Sequence, residues 1–180
     1  EAAGMGTIVV VDEAYREFDD RGDDAVRDLV GTYPNVVVTR TLSKAQGLAG
    51  LRIGYGIGHP AVIGDIDKVA LPFAVNALAQ AAALAALDHP EEIAERVARV
   101  VEERIRVESA LRESGWDLAD HRGNFIWLPT GADTGRVALD LERAGVVVRS
   151  FGDEGIRVTI GTRAENDRFL TALAGVSPTG

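Results

Sequence analysis

Cysteine is absent from the 180-residue chain, which removes thiol nucleophiles, disulfide frameworks and cysteine-ligated metals. The three histidines, His59, His89 and His121, are scattered without metal-ligand spacing and read as loop or helix-boundary residues. Positive charge is in deficit: 19 Lys and Arg against 28 Asp and Glu leave a net charge of −9. That balance repels phosphate backbones and argues against a nucleic-acid partner. Long apolar runs are missing too. The longest mostly apolar stretch, Ala70 to Leu87, contains Pro72, Asn76 and Gln80, so it reads as a loop and a buried helix rather than a membrane span. No signal-peptide pattern is legible, and a chain without cysteine fits a reducing cytoplasm. No P-loop is present, and Gly54-Tyr55-Gly56-Ile57-Gly58 lacks the dinucleotide-binding spacing. Those glycines read as allowing close packing of a strand.

What is present suits a folded α/β protein, with 46% hydrophobic and 26% charged residues allowing a substantial core. Thr7 to Val11 and Val36 to Thr39 are β-rich apolar runs that read as buried parallel strands. Helical periodicity follows over Ala61 to Val69, Asn76 to Leu87 and, most clearly, Glu91 to Ser114. In that last helix Ile93, Val97, Val100, Val101, Ile105 and Leu111 form one stripe, and Arg96, Arg99, Glu102, Glu103, Arg104 and Arg106 read as a solvated face. His89-Pro90 and Ser114-Gly115 bound it. Further on, Phe125 to Leu128, Val146 to Arg149 and Ile156 to Ile160 read as strands, with helices over Thr134 to Ala144 and after Thr162. Trp116 and Trp127 read as core.

The chemistry gathers around one lysine, in Arg40-Thr41-Leu42-Ser43-Lys44-Ala45-Gln46-Gly47 and onward to Arg52. A lysine amine can form a Schiff base with an aldehyde, hydroxyls and an arginine can hold a phosphate, and glycines let backbone approach closely. Ligands of open α/β sheets sit beyond the carboxyl ends of the strands. Asp12 and Tyr15 emerge there after the first strand, and the lysine segment emerges there after the second.

Together, Asp12-x-x-Tyr15 and Thr41-x-Ser43-Lys44, with Arg52 eight positions beyond the lysine, resemble the aspartate-aminotransferase fold group of pyridoxal-phosphate enzymes. The likeness is closest to the histidinol-phosphate aminotransferase family. Arg52-Ile53-Gly54-Tyr55-Gly56, Gly123-Asn124-Phe125 and Gly155-Ile156-Arg157-Val158-Thr159 resemble its branch also called aromatic-amino-acid aminotransferase. The resemblance implies an α/β fold: residues 1–90 as the C-terminal part of a cofactor-binding large domain with a mostly parallel sheet, and residues 91–180 as an α/β small domain opened by the linking helix 91–114. It implies pyridoxal 5′-phosphate as cofactor, held covalently by Lys44, with Asp12 on the pyridine nitrogen and Tyr15 on the ring phenolate. Thr41, Ser43 and Arg52 would hold the phosphate. Arg157 would bind the substrate carboxylate, Arg149 is a second candidate for the acidic end of the substrate, and Asn124 is a third contact. The implied reaction moves an amino group between glutamate and an imidazole or aromatic oxo compound, with a small-molecule amino acid or phosphorylated amine as substrate and a homodimer as the working form.

Each residue also has a plainer reading. Arg157 alternates with Ile156, Val158 and Ile160 as a solvent-facing strand arginine would, and Arg149 fits ordinary surface charge. Asp12 suits a turn, Ser43 an N-cap and Tyr15 a core position. Only the joint spacing favours the chemical reading. The resemblance further implies a long N-terminal half before the strand leading to Asp12, so the chain reads as a fragment or half-chain with unpaired sheet edges and exposed apolar surface. A truncated non-catalytic remnant, or a half-chain that needs a partner to form the site, is the alternative.

Overall fold

A computed structural model describes residues 6–176. The chain divides into two compact units, the first ending at Arg96 and the second starting at Val97.

The first unit is built on a three-stranded sheet in the order β1-β2-β3: β1 Val9–Asp12, β2 Val36–Thr41 and β3 Gly54–Gly58. β1 and β2 are parallel, with Asp12 opposite Thr39, and β3 runs antiparallel with Gly54 opposite Thr41. Val36, Val37 and Val38 are buried on both faces, as expected of a central strand. β1 is less enclosed than its composition suggests. It lies at the edge of the sheet, pairing on one side only among the described residues, and Val10 is 61% exposed. The glycines of β3 are there for room: a Cβ on Gly54 would lie 2.7 Å from the Arg40 carbonyl oxygen, and one on Gly58 would press on Val36 and Val37.

Two helices follow, α1 Pro60–Val69 and α2 Ala77–Leu87. The His59 and Asn76 side chains cap them by accepting from the Ala61 and Ala79 amides. The expectation that α2 is buried is overturned. Only Ala79 and Ala83 are enclosed, while Leu78, Leu84 and Leu87 are between 64% and 75% exposed. Its apolar composition therefore belongs to a face that nothing covers among the described residues.

Helix α3, Pro90–Glu113, ends in a Schellman motif. Gly115 at φ 91° turns the chain, its N–H reaches the Arg112 carbonyl, and the Trp116 N–H reaches the Leu111 carbonyl at 3.0 Å. The accompanying apolar contact seats Trp116 beside Leu111 in the core of the second unit. The second sheet has the order β4-β6-β5 and is antiparallel throughout: β4 Phe125–Leu128, β5 Arg149–Phe151 and β6 Gly155–Thr159. One face, with Ile126, Leu128, Ile156 and Val158, packs against Val107 and Leu111 of α3, against Val137 and Leu141 of α4 (Thr134–Arg143) and against Phe169 and Leu173 of α5 (Arg163–Leu173). A capping box between Thr162 and Glu165 starts α5.

Two expectations change here. Val146 to Val148 is not strand: Gly145 at φ 78° and a bond from the Val146 N–H to the Leu141 carbonyl form a second Schellman motif, and pairing begins only at Arg149. Arg104 does not join the solvated face of α3 but is 2% exposed, donating to the Gly123 carbonyl at 2.9 Å.

Candidate functional site

At the carboxyl end of β1 the chain turns sharply because the Asp12 carboxylate accepts the Ala14 N–H at 3.0 Å. The turn residue and the candidate ligand are thus the same residue, with Oδ1 shaping the loop. Tyr15 follows, and Lys44 Nζ stands 5.3 Å from the centre of its ring, a cation–π distance. The structure therefore brings together the ends of β1 and β2 as the spacing implies. Beyond β2, Thr41 Oγ1 accepts the Ser43 N–H at 3.1 Å and donates weakly to the Ile53 carbonyl. Ser43 is in this bend, not at a helix start. The Leu42 N–H also bonds the Ile53 carbonyl, so the segment just after Arg52 lies beside the lysine loop. Arg52 itself has a left-handed backbone, φ 54°, and one guanidinium nitrogen on the Ala49 carbonyl at 2.7 Å. A guanidinium has five N–H donors, so most of this one is left for an anion.

A charged cluster ties these loops in place. Arg40 Nη2 lies 2.7 Å from Glu13, the residue after Asp12, and 3.1 Å from Asp24. Burial works to lower the Arg40 guanidinium, yet hydrogen bonds to Glu13 and Tyr55 and the nearby carboxylates hold it above its usual value. Asp24 is held below the usual carboxylate range, first by the Arg27 N–H and then by Arg40 and Arg16.

The second unit presents a different surface. Across its sheet, Trp127, Arg157 and Arg149 are aligned partners on three adjacent strands, β4, β6 and β5, and all point away from the core. Arg157 stacks over Phe125 at 5.3 Å and Arg149 over Phe151 at 5.0 Å. The Trp127 and Phe151 rings meet edge to face at 5.4 Å, so Trp127 walls this face instead of filling the core. Arg157 Nε is buried without a hydrogen-bond partner among the described residues. Two arginines side by side, one with an orphaned donor and both stacked on aromatic rings, have the chemistry to pair with an anion. Asn124, just before β4, accepts the Ile160 N–H through its backbone carbonyl, and its side chain is half-buried at the end of the same sheet.

Residues 2–173 match the aminotransferase class I and II family. The chain belongs to that family. An aromatic amino acid aminotransferase of Thermobifida fusca is 52% identical over 166 residues, covering 91% of this chain and 46% of that protein. Among solved structures, the histidinol-phosphate aminotransferase of Sinorhizobium meliloti, determined with pyridoxal 5′-phosphate, superimposes with a TM-score of 0.81 at 31% identity, over 93% of this chain and 48% of its own. The histidinol-phosphate aminotransferase of Clostridium acetobutylicum gives 0.86 at 25% identity, over 97% and 55%. The chain spans about half the length of the curated relatives it matches. Its fold is the corresponding part of a pyridoxal-phosphate-dependent transferase, a segment of the large-domain sheet followed by an α/β small domain.

Sequence reasoning passed over one group. His121, set aside as a scattered loop residue, is 8% exposed, with Nδ1 2.9 Å from Glu108 Oε1 and Nε2 accepting the Trp127 N–H at 2.9 Å. Its only sequence signal is its position two residues before the Gly123-Asn124-Phe125 turn. Among the described residues no group of three or more His, Asp or Glu side chains is arranged to hold a metal ion, and no helix is long and apolar enough to cross a membrane.

Proposed function

We propose that the chain carries the lysine-bearing part of a pyridoxal-phosphate-dependent aminotransferase that exchanges an amino group between glutamate and an aromatic 2-oxo acid. The observation that carries the reading is Lys44 over Tyr15 beside Asp12, at the joined ends of two parallel strands. The donor set fits the cofactor, with a primary amine, a carboxylate, a phenol, the Thr41 and Ser43 hydroxyls and the largely free fork of Arg52 at one sheet edge. When bound, pyridoxal phosphate supplies an aldehyde and an electron-withdrawing ring.

This chain's residues supply the rest. The Lys44 amine would hold the cofactor covalently and, when free, would be the base that moves the proton between the substrate Cα and the cofactor carbon. Asp12 Oδ2, the oxygen not used in the Ala14 turn, holds a proton on the ring nitrogen. Tyr15 donates to the ring oxygen, and Thr41, Ser43 and Arg52 grip the phosphate. Arg157 pairs with the substrate carboxylate, and Arg149 and Asn124 complete that grip. Phe125, Trp127 and Phe151 give an aromatic side chain an apolar wall. In this reading residues 1–90 belong to the cofactor domain and residues 91–180 to the small domain, and the working enzyme is a cytoplasmic homodimer.

The name of the Thermobifida relative favours an aromatic substrate. Histidinol phosphate is the second reading, since adjacent Arg149 and Arg157 also suit a phosphate dianion. The test is to incubate the purified chain with pyridoxal phosphate, reduce with borohydride and map the modified peptide by mass spectrometry. One label per chain, on Lys44 and lost in Lys44→Ala, is the expected result. No label, or label spread over surface amines, would assign the chain to the non-catalytic remnant or to a half-site needing a partner.

A further inference from the structure

We propose that His121 is a positioning residue for the substrate anion, holding strand β4 and the aromatic wall of the arginine face through the Trp127 backbone. The inference rests on the reading of Arg149 and Arg157 as the anion grip.

The strand phase explains why Trp127 needs a partner. The Ile160 N–H bonds the Asn124 carbonyl, and Ile126 and Leu128 lie opposite Val158 and Ile156. Alternation in an antiparallel pair therefore turns the N–H of Trp127 away from β6, toward the outer edge of β4. His121 Nε2 meets it at 2.9 Å. An amide nitrogen can only donate, so Nε2 must be bare, and the ring proton sits on Nδ1 facing Glu108 Oε1. Glu108 is fixed in turn by Arg112 at 3.4 Å. One helical turn earlier on α3, Arg104 bonds the Gly123 carbonyl. The last part of the loop before β4 is thus held at two points, His121 and Gly123, by buried side chains of a single helix face.

What is pinned is the anion face itself. Phe125, which stacks on Arg157, and Trp127, which lies opposite Arg157 and touches Phe151, both hang from β4. Phe151 in turn underlies Arg149. Removing the imidazole leaves the Trp127 N–H and Glu108 Oε1 without the His121 contact and frees β4 to shift, so the aromatic wall moves while neither arginine is touched. Glutamine at this position keeps an amide oxygen to accept and an N–H to donate.

The test measures binding of 3-phenylpropionate, an unreactive aromatic carboxylate, to the whole chain by NMR titration, with His121→Leu and His121→Gln beside the parent. His121→Leu is expected to weaken binding about tenfold, within the range for a residue that acts on a site without touching its ligand, and His121→Gln to restore it to within about threefold. Lys44 labelling by pyridoxal phosphate should be unchanged in both, and cooperative urea unfolding followed by Trp116 and Trp127, which lie in the second unit, should show that unit folded in both variants. The parent's ring-nitrogen shifts should show Nδ1 protonated and Nε2 bare at neutral pH. Parent-like binding by His121→Leu, an equal loss in His121→Gln, or a proton on Nε2 would each overturn the proposal. A parent that binds no probe would overturn the assignment of the arginine face and this role with it, whereas labelled Lys44 in the same sample would leave the cofactor reading standing.

Discussion

Gly155 tests how tightly the sheet beneath the arginine face is built. A Cβ there would lie 2.3 Å from the Leu128 carbonyl oxygen and 2.6 Å from the Trp127 ring. Carbon–oxygen contacts between strands settle at about 3.3–3.6 Å, so Gly155→Ala must open β4 from β6 by roughly 1 Å. The obstacle is backbone, so no rotamer change relieves it. The adjoining pair, Leu128 and Ile156, is fully buried. Overpacking of this kind costs about 1–3 kcal/mol, and a weakened ladder bond adds about 1 kcal/mol, so about 3 kcal/mol is expected. Both tryptophans, Trp116 and Trp127, lie in the second unit, which lets their fluorescence follow that unit's unfolding in urea. With a slope of about 1 kcal/mol per molar for a small unit, the midpoint should fall by roughly 3 M. Gly135→Ala is the control of opposite sign: it lies in α4 with open space around it and should stabilise by about 0.5 kcal/mol. A shift below about 0.5 M for Gly155→Ala would refute the steric argument.

Two further outcomes follow from other contacts. Arg157→Ala should weaken 3-phenylpropionate binding by about 10- to 100-fold, the range for a charge-assisted pair, while pyridoxal phosphate labelling of Lys44 stays intact; equal loss of both would place Arg157 in the wrong site. Glu103 is held below its ordinary value of 4.5, first by the Arg106 hydrogen bond and then by Asn166. A lowered folded-state value means that its stabilisation is present above pH 4.5 and disappears as the pH falls through the lower range. The urea midpoint of the parent should therefore drop more than that of Glu103→Gln between pH 6 and pH 3, and parallel curves would sink the assignment.

Much of the fold was legible because local chemistry and packing agreed. Val36 to Val38 is apolar on both faces and is a central strand, and Gly115 and Gly145 stop their helices by the mechanism that the glycine signal encodes. The Val146 to Val148 run misled because a C-cap's apolar contact leaves the same alternation as a half-buried strand: Val146 and Val148 lean on the core and Val147 is 86% exposed. Helix α2 misled because composition reports what a surface suits, not whether its cover lies within the chain. At the site, the Asp12, Tyr15 and Lys44 spacing was readable since adjacent parallel strands deliver their ends to one edge. The Glu108, His121 and Trp127 chain was not, because its members are joined by the packing of α3 on a loop, and nothing in residue spacing records that.

The neighbouring arginines of β5 and β6 carry a thermodynamic consequence. Like charges directly opposite on adjacent strands destabilise a sheet by up to about 1 kcal/mol, and Arg149 and Arg157 occupy that relation. A threonine at position 149 would suit the strand better and remove the repulsion, so the arginine pair opposes the stability of the sheet that displays it. An anion held between the two guanidiniums, as proposed above, would reverse the sign. On that proposed reading folding and ligand capture would be one linked equilibrium, with the protein most stable when occupied and selection for binding working against selection for a sturdier sheet.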